Sequence, residues 1–391
     1  MSIPRSGLNL LRVRCTRLAL AAALAGCGGG GNDGGPNNVR TTAVKVAGDS
    51  LSDGGTFGAK ATVQGASLVQ TRLWVDVVTQ SLGLAPLCPH YIDSGIGPVP
   101  NAALASVCTN HAVGGGVVNA PGGELLDDTP YAVPRQLEDM RKQAAFGPDE
   151  LLLLDGGGND AALVFGLFLE ASQDNAQALL AVLADLLSAE QIAAARAGGE
   201  DAWAAAGSWY MTLLAERMAD AIASQAIAFG AKRIVLLNMP DVSRTPRFTA
   251  ALALVASLDG VEAAARRGAV ASAWTRAYND RLAQRLVGTR EVAIVDFRAL
   301  LDGWIANPSA AGFTNTAAPA CPAVGSDSLG LPSYDLRTCT ETLLSANPPP
   351  GASSADWWRG YLFSDHFHGT PLMNQKLADE ALRVMAGKGW R

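Results

Sequence analysis

Four short apolar runs constrain this chain most: AVKVAG at 43–48, LLLLD at 151–155, RIVLLNM at 233–239 and VAIVDF at 292–297. They are continuous rather than alternating, the pattern of strands covered on both faces in a parallel sheet. Helical spacing fills the intervals around 66–83, 134–145, 203–229 and 261–287, a last helix is expected over 371–387, and a weaker strand leads into NHAVGGG at 110–116. Strands alternating with helices predict an α/β sandwich with right-handed crossovers. The alanine- and leucine-rich stretch at about 163–206 is longer than a crossover needs and reads as a helical insertion, not a second domain. No internal repeat and no membrane span is expected in the mature chain.

The first 26 residues are set apart from the fold. Arg5, Arg12, Arg14 and Arg17 precede the short apolar stretch LALAAALAG, the pattern of a secretory signal. It ends in LAGC, Leu24 to Cys27, which resembles the lipobox of bacterial lipoproteins; that resemblance implies an acylated Cys27 as the new N-terminus and an envelope location, outer membrane or periplasm. Lipidation would hold the protein to a membrane, since two acyl chains suffice for stable anchoring. Residues 27–40, glycine-rich in GGGGNDGGPNN, then form a tether, and residues 41–391 the folded domain. The tether's glycines have no strand before them and no helix after, so a dinucleotide site is excluded there. Without the leader's arginines, 26 basic residues face 36 acidic ones, about −10 in net charge. That balance offers no footprint for nucleic acid.

Four cysteines remain once Cys15 and Cys27 are removed: Cys88, Cys108, Cys321 and Cys339. An even number in an oxidising compartment suits disulfides, and of the three pairings the local one, Cys88–Cys108 with Cys321–Cys339, is preferred. No C-x-x-C or paired-histidine spacing points to a metal, and none is expected.

Ser50 follows the first apolar run in GDSLSDGG, at the edge of a parallel sheet where ligand sites collect. A serine in such a turn is most often a helix cap, and Asp-Ser-Leu recurs at 327–329 with no strand before it. Partners must therefore decide. The chain has four histidines, His90, His111, His366 and His368. Asp365 precedes His368 by three residues, a spacing that lets a carboxylate fold back onto Nδ1 and leave Nε2 for a serine. Gly115 in NHAVGGG and Asn159 in GGGND stand at other strand ends, where a backbone N–H and a side-chain amide can face a developing oxyanion. Ser52 and Asp53 read as local turn and cap groups.

Together the blocks around Ser50, Gly115, Asn159 and Asp365/His368, in that order, resemble those of the GDSL family, the SGNH hydrolases. LLNMPDVSRTP at 236–246, AYNDRL at 277–282 and FTNTAAPAC at 313–321 add to the likeness, which covers nearly the whole mature chain. Gly369 stands where the family usually has proline after the histidine, and His366 is an additional imidazole beside Asp365. The resemblance implies a flavodoxin-like three-layer α/β/α fold and a cofactor-free esterase or lipase acting on small-molecule or lipid acyl esters. Ser50 would be the nucleophile, His368 the base and acid, and Asp365 its orienter. The Ser50 and Gly115 N–H groups with the Asn159 amide would form the oxyanion hole. An acyltransferase or polysaccharide O-deacetylase would use the same site, and a non-catalytic lipoprotein module is the reading from a different class. The adjacent tryptophans of ADWWRGY (355–361) and the apolar LVFGLFL (163–169) are read as packing.

Overall fold

The computed structural model describes residues 40–120, 128–352 and 354–390. The apolar runs form one parallel sheet of β1 (Ala43–Ala47), β2 (Glu150–Leu154), β3 (Ile234–Leu237) and β4 (Val292–Val295), paired in that order. The register sets Val46 against Leu153, Leu153 against Val235 and Val235 against Ala293.

Among the described residues, ten α-helices accompany it: α1 (Trp74–Ser81), α2 (Val133–Gln143), α3 (Gly158–Asp174), α4 (Gln177–Leu183), α5 (Ala189–Ala221), α6 (Pro246–Asp259), α7 (Val261–Leu286), α8 (Phe297–Ala306), α9 (Glu341–Ala346) and α10 (Pro371–Gly387). The period of two along each strand divides them into layers. Leu152, Leu154, Ile234 and Leu236 enter a core with α2, α3, α5 and α7. Leu151, Leu153, Val235 and Leu237 enter another with α1, α8 and α10. Leu151 to Leu154 are all at most 1% exposed, and each such burial stabilises by about 2 kcal/mol. Lys45, the one charge in the first run, is buried with its ammonium on Ala144 O, Ala145 O and Glu150.

The expected strand before NHAVGGG is only a bridge, Asn110 to Val46, on the open side of β1. The Asn110 side chain accepts the Ala112 N–H and donates to Ser52 O, turning the chain out of the sheet after one residue. With this segment counted, the order becomes edge–β1–β2–β3–β4. That is the doubly wound, flavodoxin-like arrangement, whose direction of winding reverses between β1 and β2.

Other differences are local. The helix expected from 66 begins at Trp74, because Thr71 folds back on Ser67 and Gly65, and Asp76 accepts the Leu73 N–H to start the helix. The insertion comprises α3, α4 and the first part of α5, which runs past the expected boundary and is interrupted at Gly199, where φ is +72°. Val164, Phe165 and Phe168 of LVFGLFL lie in the first core. Trp358 belongs to a small third core with Val63, Leu344 and the Cys321–Cys339 disulfide. The other disulfide joins Cys88 to Cys108.

Among the described residues no helix is long and apolar enough to cross a membrane. The expected leader (1–26), Cys27 and the tether up to residue 39 lie outside the described residues.

Candidate active site

β1 ends at Ala47, and the chain turns sharply at Gly48, where φ is +152° and a Cβ would collide with the Asp155 carboxylate; no other residue fits. Asp155, just past β2, straps this turn. Its Oδ1 accepts the Asp49 N–H at 2.9 Å, and its Oδ2 accepts the Ser52 hydroxyl, which in turn accepts the Trp74 indole N–H at 3.0 Å. Ser50 is thereby held between the ends of β1 and β2, at the reversal of winding.

The partner of Ser50 comes from the far end of the chain. Ser50 Oγ lies 2.8 Å from His368 Nε2, and His368 Nδ1 lies 2.8 Å from Asp365 Oδ2. The other carboxylate oxygen of Asp365 accepts the backbone N–H groups of Phe367 and His368 at 2.7 and 2.6 Å, so the acid is locked within one turn of the ring it faces. Burial opposes the charge on Asp365, yet the neighbouring His368 and these hydrogen bonds outweigh it and hold the carboxyl down at about 2. For His368 burial acts downward, the Asp365 carboxylate acts upward, and the net shift is upward.

The other imidazoles have other neighbours, His366 on the wall of the cleft that Ser50 and His368 line. His366 faces Tyr334 with ring centroids 5.3 Å apart, its carbonyl accepts the Arg247 N–H, and burial lowers its pKa. His90 and His111 stack at 4.0 Å, and burial, then the charge of His90, push His111 down to about 3.

Gly115 and Asn159 join the same cleft as Ser50 and His368. The glycine loop is clamped on both sides of Gly115: the Asp53 carboxylate accepts the Gly114 N–H at 2.8 Å, and the Asn159 amide donates to Gly116 O at 2.8 Å. Gly115 itself has φ of +81°, a left-handed conformation that favours glycine. Among the described residues, the backbone N–H groups of Ser50 and Gly115 have no protein acceptor, and one Asn159 amide hydrogen remains beside the bond to Gly116. The three residues that carry these donors line the cleft that holds the serine hydroxyl.

Several supports were not foreseen. Asp53 reaches across to the glycine loop as well as capping its own turn at Gly55 and Thr56. Asp160, next to Asn159, accepts the Val118 and Asn119 N–H groups, and burial raises its carboxyl to about 6. Burial also raises Asp49 and Asp155, with the charge of Asp155 adding to the effect on Asp49. The signal available for Asp155 was a charge ending an otherwise apolar run. Among the described residues no group of three or more His, Cys, Asp or Glu could hold a metal.

The family model for GDSL-like lipase/acylhydrolase matches residues 44–381, from β1 into α10, and includes every residue of this cleft. The chain belongs to the GDSL-like lipase/acylhydrolase family. A search of curated proteins finds no match. As a GDSL-family member it is a hydrolase acting on esters, and its parallel sheet with helices on both faces is that family's α/β/α architecture.

Proposed function

We propose that this family member is a serine carboxylester hydrolase that forms an acyl-enzyme on Ser50. One observation carries the reading: Asp365, His368 and Ser50 are hydrogen-bonded in series, each contact 2.8 Å, beside donors without an acceptor. Ser50 Oγ attacks the ester carbonyl carbon while its proton passes to His368 Nε2. Asp365 keeps the proton of the resting imidazole on Nδ1 and stabilises the imidazolium. The carbonyl oxygen becomes an oxyanion held by the Ser50 and Gly115 N–H groups and the Asn159 amide. His368 then gives its proton to the leaving alkoxide. Water attacks the acyl-enzyme with His368 again as base, releasing the carboxylic acid and restoring Ser50.

The enzyme works in the cell envelope, tethered through acylated Cys27, in keeping with the lipobox-like LAGC. Ser50→Ala tests the chemistry: nitrophenyl ester hydrolysis should disappear, and a fluorophosphonate probe should label the native protein at Ser50 alone. Undiminished turnover by the alanine variant would overturn the proposal.

A further inference from the structure

Two cavities meet at Ser50, and they differ in size and chemistry. One is the narrower and less open, about 40 Å³, with Leu237, Met239, Val242, Phe297, Leu301 and Phe363 among its walls. The other is an open cleft of about 600 Å³ that contains His368. His368 does not line the small cavity. On the acyl-enzyme reading, on which this inference rests, His368 must reach the leaving oxygen, so the alcohol portion lies in the open cleft. The acyl chain is left with the small cavity. Its volume accommodates roughly three water molecules, the space of an acetyl to butyryl chain.

The open cleft is charged, but its cations are already paired. Lys60 lies 2.8 Å from Asp76, Arg247 3.3 Å from Asp327 and Arg337 2.9 Å from Asp335. An anionic head group would have to displace a carboxylate from its cation. A cationic one would find the Asp93 carboxylate free of an ion pair among the described residues, but would also face Lys60, Arg247 and Arg337. At Asp335 and Arg337, which both line the cleft, a neutral hydroxyl can instead donate to the carboxylate and accept from the cation, the stronger class of hydrogen bond at either end. Phe57 and Phe367 supply apolar surface beside these groups.

We infer that the substrate is a short-chain acyl ester, acetyl to butyryl, of a neutral polyhydroxylated alcohol such as a sugar or linear polyol. The reaction breaks the acyl C–O bond; water supplies hydroxyl to the acyl carbon and hydrogen to the alcohol oxygen, giving a carboxylic acid and a free hydroxyl, with no redox change.

Wild-type protein tests this in two series. With nitrophenyl esters from acetate to palmitate, kcat/KM should be highest at acetate to butyrate and fall about tenfold or more by octanoate. With acetates of different alcohols, acetylated glucose and xylitol should have KM about tenfold below ethyl acetate, acetylcholine or an acetylated sugar phosphate. Sugar and polyol arms separate the two sources of the same chemistry; preference for either supports the inference. An optimum at octanoate or longer, or preference for an ionic alcohol, overturns this inference while leaving the serine esterase reading intact. No Ser50-dependent turnover of any ester overturns both. In folded Leu301→Ala, octanoate should gain on acetate, and an unchanged ratio would refute the cavity assignment; the wild-type series decides if that variant does not fold.

Discussion

A carboxylate three residues before a histidine is common, and what distinguishes Asp365 is the use of both oxygens. Oδ1 is held by two backbone N–H groups, leaving Oδ2 for the ring. In Asp365→Asn the amide oxygen would keep the backbone bonds and turn its NH₂ toward Nδ1, forcing the ring proton onto Nε2, where it cannot serve Ser50. A fall in kcat of about 10⁴-fold is expected with the fold retained, read by steady-state kinetics and circular dichroism. Asn159→Ala removes one oxyanion donor and should lower kcat about 10²- to 10³-fold. The pH profile follows from His368. Its neutral form is the base, and Asp365 raises its pKa, so kcat/KM should fall on acidification with a midpoint above the ordinary value of about 6.5. At this scale Ser50, Asp365 and His368 were legible because nucleophile context and acid–base spacing are local patterns. Asp53, Asp155 and Asp160 were not, because each acts on a backbone group distant in sequence.

At the scale of elements, the strands could be read directly, since a strand buried on both faces needs an unbroken apolar run. The segment at Asn110 could not, because a side-chain turn ends its pairing after a single bridge. Helices α6 and α8 lay outside the expected segments, although α6 opens with Thr245 before Pro246, a favourable helix start. The β1 turn has a pH-dependent support in Asp49 and Asp155, both with raised pKa values. Such a carboxyl binds its proton more tightly folded than unfolded. Its contribution to stability is full below the unfolded value of about 3.9 and declines as pH rises through the folded one. Asp49→Asn keeps an oxygen for the Leu51 N–H and cannot ionise. Thermal melts at pH 5 and pH 8 should therefore differ less in Asp49→Asn than in the wild type; an equal difference would show that this pair does not set the dependence.

For the whole molecule, the closure of the site depends on segments far apart in the chain meeting. His368 reaches Ser50 across a separation of 318 residues, and Trp74, which donates to Ser52 Oγ, has its own N–H bound by Asn374 of α10. The disulfides span only 20 and 18 residues and brace local loops. On loop-closure entropy, replacing Cys88 and Cys108 together by alanine should cost about 3 kcal/mol, measurable by urea denaturation, with Ser50 chemistry retained in the folded fraction.

The amino-acid order alone determined the parallel sheet, the candidate nucleophile with its histidine and acid, and the local cysteine pairing preferred among three. These depend on short-range pattern: apolar continuity, residue spacing and small loops. Tertiary structure alone decided how the glycine loop is clamped and the unequal volumes on either side of the hydroxyl. Those properties arise where strand ends, α8, α10 and distant loops converge, and no local window of sequence contains the distances between them.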